Sequence, residues 1–466
     1  MIKLIIFFLI PLHAFAWYAP ESFNSSYIEI EDAIFKETIT GGVKDAKGYL
    51  SSSTLKKIFN DKENRVSNKF DIPKYFEASV RFWFSIYTQF SSEQVVIHDK
   101  GNLELIYKTL DFTELHSNES IHRFSKSKLQ STLSLEYTRK VKKTLQKFAK
   151  YSFKRLFETN SEILTTLKDA NINLPKNKKK RAKLFYDLAR NIRTQTGQRN
   201  KILKGVIRSS AYLPFLYKQL KNFRLPKEIL AIPFLESSFN PIAESKAAAA
   251  GLWQFIPYAN NLFMPKITNR IDYRFNPIVA SLAAFHLIKE NKLILRRWDL
   301  AIPAYNSGPT HLKKAIRKFS KKKKRNQISL EYILTHYKHP HIGFASKNFY
   351  AEFLALTRVL AYKELIYPLK GYELSDTFTD VENLGVYLSR CKIKPNRFFT
   401  KMLKTSPSII KINSHFKNIT SKYPKGTIVV SDRKLSSSRF QKLSDKQLKD
   451  SFPKYYFKSL KSKACN

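Results

Sequence analysis

Cysteine is nearly absent from this chain: Cys391 and Cys465 are the two in 466 residues. That count excludes a disulfide scaffold. It leaves two alternatives, a single bridge tying down the C-terminus or two unpaired thiols. Acids are scarce as well, 37 Asp and Glu against 83 Lys and Arg, for a formal net charge of +46. Such an imbalance biases partners toward polyanions: nucleic acid, an anionic envelope polymer or a membrane surface. A Lys-rich composition shared by a whole proteome is the other account of it. The ten histidines form no HExxH and no Cys/His cluster, so neither a metal nor a cofactor is expected. No stretch has about 18 uninterrupted apolar residues, the length a spanning helix needs. What is abundant is apolar and aromatic surface, 43% and 14% of the residues. Wholesale disorder is excluded, and the length suits roughly two to four domains.

The first sixteen residues have the form of a secretory signal. Lys3 supplies the positive end, Leu4 to Leu12 the apolar run, and Ala14-Phe15-Ala16 a small-x-small cleavage site. An uncleaved anchor is the alternative. No cysteine follows the run, so a lipid anchor is not expected. The mature chain would begin near Trp17 and be periplasmic or secreted, its basic charge leaving membrane association open. Export favours an anionic envelope polymer over nucleic acid, which is not expected as a partner. Nothing here bears on oligomeric state.

Beyond residue 16 the texture changes several times. Residues 17–70 are polar and mixed and read as an irregular leader. Residues 71–180 read as an N-terminal α+β and helical region. In it, Val95 to His98 and Leu103 to Tyr107 flank Asp99-Lys100-Gly101-Asn102 as a hairpin would. Residues 133–158 repeat apolar groups at helical spacing, and Lys178 to Arg181 read as a basic break. Residues 181–367 are mostly helical in pattern, interrupted by a solvated loop at Lys321 to Arg325. Val381 to Leu388, Phe398 to Leu403 and Thr427 to Val430 outline a small α+β unit at 376–431. A flexible basic tail, 432–466, is expected to follow.

The chemistry concentrates between Ile232 and Pro257, IPFLESSFNPIAESKAAAAGLWQFIP. One acid, Glu236, follows the apolar residues Ile229, Leu230, Ile232, Phe234 and Leu235. Burial among such neighbours penalises the carboxylate and raises its pKa, as a general acid working near neutral pH requires. A helix cap or an ion pair is the plainer use of such a residue.

Several blocks then occur in a fixed order. Arg193, Gln195, Gly197 and Leu225-Pro226 precede Glu236-Ser237-Ser238-Phe239-Asn240-Pro241. Ser245 and Gly251-Leu252-Trp253-Gln254-Phe255-Ile256-Pro257 come next. Ala304-Tyr305-Asn306-Ser307-Gly308-Pro309 and Gly343 to Phe353 complete the set. In this order they resemble the soluble-lytic-transglycosylase domain of murein lytic transglycosylases, the D-type branch above all, over about 185–360. The resemblance implies a mainly α, lysozyme-like fold of the goose type, here with small α+β units on either side. It implies an enzyme cleaving the β-1,4 bond between N-acetylmuramic acid and N-acetylglucosamine in peptidoglycan strands. In that reaction the muramoyl 6-hydroxyl attacks its own anomeric carbon, giving a 1,6-anhydro end. One carboxyl, Glu236, serves as acid and then as base, whereas ordinary glycosidases use two. Ser245, Gln254, Tyr305 and Asn306 match positions that line the sugar cleft or orient the acid. Helix capping, core packing or structural hydrogen bonding would account for the same four residues. A hydrolytic muramidase and a non-catalytic wall-binding protein are the rival functions.

Two positions depart from the pattern. Ala248 stands where the family prefers Gly, which matters if the backbone there has positive φ. Asn276 stands where the family often has Asp. Glu244 and Asp272 are the nearest candidates for a second carboxylate. The first reads as exposed, the second as the partner of Arg270 or Arg274. Residues 376–431 faintly resemble a glycan-binding LysM module, with Pro424-Lys425-Gly426 as its closing turn.

Overall fold

The computed structural model describes residues 50–337, 343–367, 369, 384–397, 399 and 409–450. The export signal, Cys465 and the early part of the 376–431 unit lie outside that set. Among the described residues no cysteine is free, no helix is long and apolar enough to cross a membrane, and no cluster of His, Cys, Asp and Glu could hold a metal.

The expected irregular leader is corrected from residue 52 on. Helix α1, Ser52–Asn60, starts where the Ser51 hydroxyl accepts from the Thr54 N–H. Ile58 and Phe70 are fully buried. Helix α2, Glu77–Thr88, is apolar almost all round and buries eight residues, Val80 and then Phe82 to Thr88. Strands β1, Gln94–Asp99, and β2, Ile106–Asp111, form the expected antiparallel hairpin. Asp99 Oδ1 holds its turn by accepting from the Gly101 and Asn102 amides at 2.7 and 2.8 Å.

Helix α3, Arg123–Phe148, and helix α4, Lys178–Asn191, cover one face of this sheet. The expected basic break at Lys178 to Arg181 is instead the first turn of α4. Asn177 caps it through the Lys180 N–H, and buried Arg181 donates to the carbonyls of Pro175, Lys176 and Tyr151. Strand β3, Ile192–Thr196, pairs antiparallel with β1, giving the order β2-β1-β3. Alternation along β1 then divides the molecule. Val95 and Ile97 point into a core shared with Leu133, Leu145 and Phe185, and Val96 points into the main core.

The helical centre follows. Helices α5, Arg199–Ser209, and α6, Leu213–Phe223, come first, separated by a break at residues 210–212. Next come α7, Ala231–Ser237, and α8, Pro277–Leu295, nearly all of whose first half is buried. Then come α9, Pro303–Ser307, α10, Pro309–Phe319, and α11, Phe344–Ala361. Helix α11 is the hub, packing on α2, α7 and α9.

Strands β4, Gly385–Ser389, and β5, Ile428–Ser431, pair antiparallel around a short helix at Ile409–Ile412, as an α+β unit should. The expected flexible tail is ordered as far as residue 450. Strand β6, Phe440–Lys442, adds to β4, and helix α12, Asp445–Asp450, docks on α6 and α8. One hydrophobic cluster runs from Leu50 through the helical centre to Leu448. The fold is mainly α, with small α+β units on both sides, as expected.

Candidate active site

Glu236 sits one residue from the end of α7, and the chain stops the helix directly after it. Ser238 and Phe239 both take left-handed backbone angles, φ of 50° and 57°. Their amides return to Phe234 and Pro233 carbonyls, closing the helix end. Arg208 of α5 donates to the carbonyls of Ser238 and Phe239 at 2.5 and 3.2 Å, pinning this turn. The approach is close enough that a side chain at Gly205 would meet Ser238 O at 2.5 Å. On the other side the Ser237 hydroxyl donates to Leu252 O at 2.8 Å, tying the helix to the Gly251–Gln254 turn.

That turn is built on Gly251, whose φ is 76° and where a Cβ would stand 1.7 Å from Arg274 O. Gln254, also at positive φ, donates its side-chain amide to Gly251 O at 2.9 Å and Ala243 O at 3.3 Å. Ser245 accepts from the Ala249 N–H at 3.0 Å, and its own N–H donates to Ala249 O. Ser245 therefore closes the 245–249 loop, and neither it nor Gln254 hydrogen-bonds Glu236. Ala248 lies in that loop at φ 59°, the conformation for which Gly is suited. Trp253 is fully buried, its Nε1 donating to Ser281 Oγ at 2.8 Å, so it is core rather than a sugar platform.

Tyr305 is the predicted residue that the fold brings to the acid. Its hydroxyl donates to Trp253 O at 2.6 Å, and the nearby Glu236 carboxylate helps push its pKa well above the usual tyrosine value, behind burial. Asn306, half-buried at the same helix end, makes no side-chain hydrogen bond among the described residues, which leaves its amide free for a ligand.

Glu236 as a whole is half-buried. Among the described residues it has no hydrogen-bond donor and no ion-pair partner. Burial therefore pushes its pKa up to about 8, with a smaller push from the charge of Glu352. Glu352, on α11, lies within the Gly343 to Phe353 block. Burial pushes it up to about 8 as well, opposed by a hydrogen bond from Tyr87 and by the charge of Arg193. The two acids weighed from sequence are elsewhere. Glu244 is exposed. Asp272 is buried against Arg274, with Nη2 to Oδ2 at 2.7 Å and Nε to Oδ1 at 3.0 Å. Arg274 also donates to Ala248 O and Phe255 O, so that pair braces the cleft loop.

An uncompensated, proton-holding carboxyl at a helix end beside a tyrosine has the protonation state a general acid needs near neutral pH. Residues 214–328 match the Transglycosylase SLT domain family, so the chain contains an SLT domain, lysozyme-like and mainly α. It is similar to membrane-bound lytic murein transglycosylase D of Escherichia coli strain K12, 35% identical over 112 residues, which are 24% of this chain and 25% of that protein. The same figures hold for that protein from Escherichia coli O6:H1. A putative tributyltin chloride resistance protein of Alteromonas sp. strain M-1 is 31% identical over 116 residues, 25% of this chain and 56% of the relative. The match thus spans a quarter of the length of the Escherichia coli relatives. Glu352, Tyr87 and Arg193 all fall outside the matched segment.

Proposed function

We propose that this chain is an exported lytic transglycosylase that cleaves the β-1,4 bond between N-acetylmuramic acid and N-acetylglucosamine in peptidoglycan. Glu236 is its single acid and base. Protonated at neutral pH, Glu236 gives its proton to the glycosidic oxygen as the bond to the anomeric carbon breaks. The carboxylate then takes the proton of the muramoyl 6-hydroxyl as that oxygen bonds to the anomeric carbon. The proton count closes, no water is consumed, and a 1,6-anhydro end forms. Tyr305 supports the wall behind the acid through Trp253 O, and Asn306 offers an amide to hydroxyl or N-acetyl groups. Ser245 and Gln254 shape the cleft loop that the sugar would lie against. The N-terminal signal-like segment supports export to the periplasm or beyond.

The observation that carries this reading is Glu236 itself: half-buried, without a donor or cation among the described residues, and pushed up to about 8. Mass spectrometry of fragments released from purified sacculi tests it. Anhydromuramic ends from the parent, lost in Glu236→Gln, are expected. A hydrolytic muramidase is the second reading, favoured by the presence of a second carboxyl near Glu236. Reducing muramic ends would decide for it. Sacculi bound but released equally poorly by parent and variant would mean a wall-binding protein.

A further inference from the structure

The elements around α7 leave a specific set of charges facing Glu236. Tyr305 of α9 lies beside it. Arg208 of α5 is committed to the Ser238 and Phe239 carbonyls. Glu228, in the turn before α7, accepts from the Ser67 N–H at 2.9 Å. Arg358, further along α11, looks toward Asp61, Asp71 and Glu228. What remains is Glu352, in the middle of α11, the helix that packs on both α7 and α2. Its Oε2 accepts from the Tyr87 hydroxyl of α2 at 3.3 Å. Arg193 of β3 stacks over Phe344, at the start of α11, 4.3 Å from the ring centroid. The Arg193 Nε is buried without a hydrogen-bond partner, and its charge reaches Glu352. Glu352 itself has no ion pair within 4.0 Å among the described residues.

We propose that Glu352 is a positioning carboxyl of the cleft, made the first of the pair to ionise by Tyr87 of α2 and Arg193 of β3, so that the last proton of the pair resides on Glu236. The proposal rests on the transglycosylase reading and deepens it. Two buried carboxyls in reach of each other do not ionise together. The one with a donor and a cation ionises first, and that is Glu352. Glu236 has neither and keeps the proton. Once Glu236 has protonated the leaving oxygen, ionised Glu352 makes the new carboxylate a stronger base toward the 6-hydroxyl. Glu352 exchanges no proton itself. The N-terminal α+β region thereby gains a role, since it supplies Tyr87 and the strand β1 on which β3, with Arg193, pairs.

The test uses the full chain with 13C-labelled glutamate carboxyls, titrated by NMR. Glu236→Gln removes one titrating resonance and so identifies it. In Glu352→Gln, which keeps the volume and an acceptor for Tyr87, the Glu236 midpoint is expected to fall by about one pH unit. The alkaline limb of glycan release should move with it. Tyr87→Phe should shift both in the same direction by less, which covers the case in which Glu352→Gln folds poorly. A midpoint that stays in place in either folded variant overturns the proposal. So does a Glu352→Gln protein with unmoved midpoint and no activity at any pH, which would make Glu352 a catalytic group. A parent that releases no anhydro ends sinks the transglycosylase reading, while the midpoint shift still reads the carboxyl coupling.

Discussion

At the scale of the residue, function and stability pull against each other at Glu236. A carboxyl whose folded pKa lies near 8, above its ordinary 4.5, stays protonated in the native chain while the unfolded chain releases the proton. Native stability is therefore lost as pH rises from about 4.5 to about 8. Glu236→Gln should remove that loss: the melting temperature of the variant should gain on the parent's between pH 5 and 8. Its release of anhydro ends should drop about 100-fold or more, the usual weight of a general acid and base. A second residue-level prediction concerns Ala248, an L residue held at φ 59° in an exposed loop. Left-handed backbone costs a side chain roughly 1–2 kcal/mol, and Gly gives back part of that through its freer unfolded state. Ala248→Gly should stabilise the fold by about 0.5–1 kcal/mol in denaturant unfolding. Both residues were legible in the sequence, Glu236 from its apolar run and Ala248 from its departure from a pattern. Glu352 was not. Its role depends on Tyr87, Arg193 and Glu236, which lie far from it along the chain and meet only through packing of α2, β3 and α7 on α11.

At the scale of the element, Asn276 joins two parts of the molecule. Its Oδ1 caps α8 by accepting from the Ile278 and Val279 amides at 3.1 and 3.0 Å. Its Nδ2 lies 3.0 Å from Nδ1 of His415 in the C-terminal unit. Burial pushes His415 down to about 3, so the ring is neutral. With Nε2 donating to Ile428 O at 3.0 Å, Nδ1 is left to accept from Asn276. Asp would cap the helix equally well but has no hydrogen to give. This is the physical content of the Asn that departs from the family's usual Asp. Asn276→Asp should therefore spare the start of α8 and loosen the C-terminal unit. Hydrogen exchange is expected to quicken at Ile428 and Phe416, with the Ile278 and Val279 amides unchanged. Elements with a strong period were readable, such as the β1–β2 hairpin and most helices. Strand β3 was not, because all five of its residues are half-buried and its sequence, Ile-Arg-Thr-Gln-Thr, has no apolar alternation. The start of α4 was hidden by three lysines whose helical order comes from the Asn177 cap rather than from an apolar face.

At the scale of the whole molecule, two properties act over different distances. One hydrophobic cluster binds the N-terminal helices, the SLT segment and the C-terminal unit into a single body. The segment that carries the acid does not stand alone, since the matched 24% of the chain shares its core with the rest. The second property is the net charge of +46, which no family pattern over 214–328 contains. Part of it lies on solvent faces of α3 and α4, where Lys142, Lys143, Lys179 and Lys183 are exposed. Charge on those faces can draw the protein to an anionic wall without touching the bond that breaks. Its reach is about 10 Å at 0.1 M salt and about 3 Å at 1 M. Attachment to sacculi should therefore weaken steeply over that range, read by sedimentation of protein with the wall. Cleavage of a short uncharged glycan oligomer should change far less, because burial and a neighbouring carboxylate set the Glu236 proton, and salt screens neither well. Exchanging those four lysines for glutamine should weaken attachment at low salt and leave oligomer cleavage intact. Equal loss of both activities would place the basic faces inside the substrate cleft, contrary to their position on the far side of the sheet.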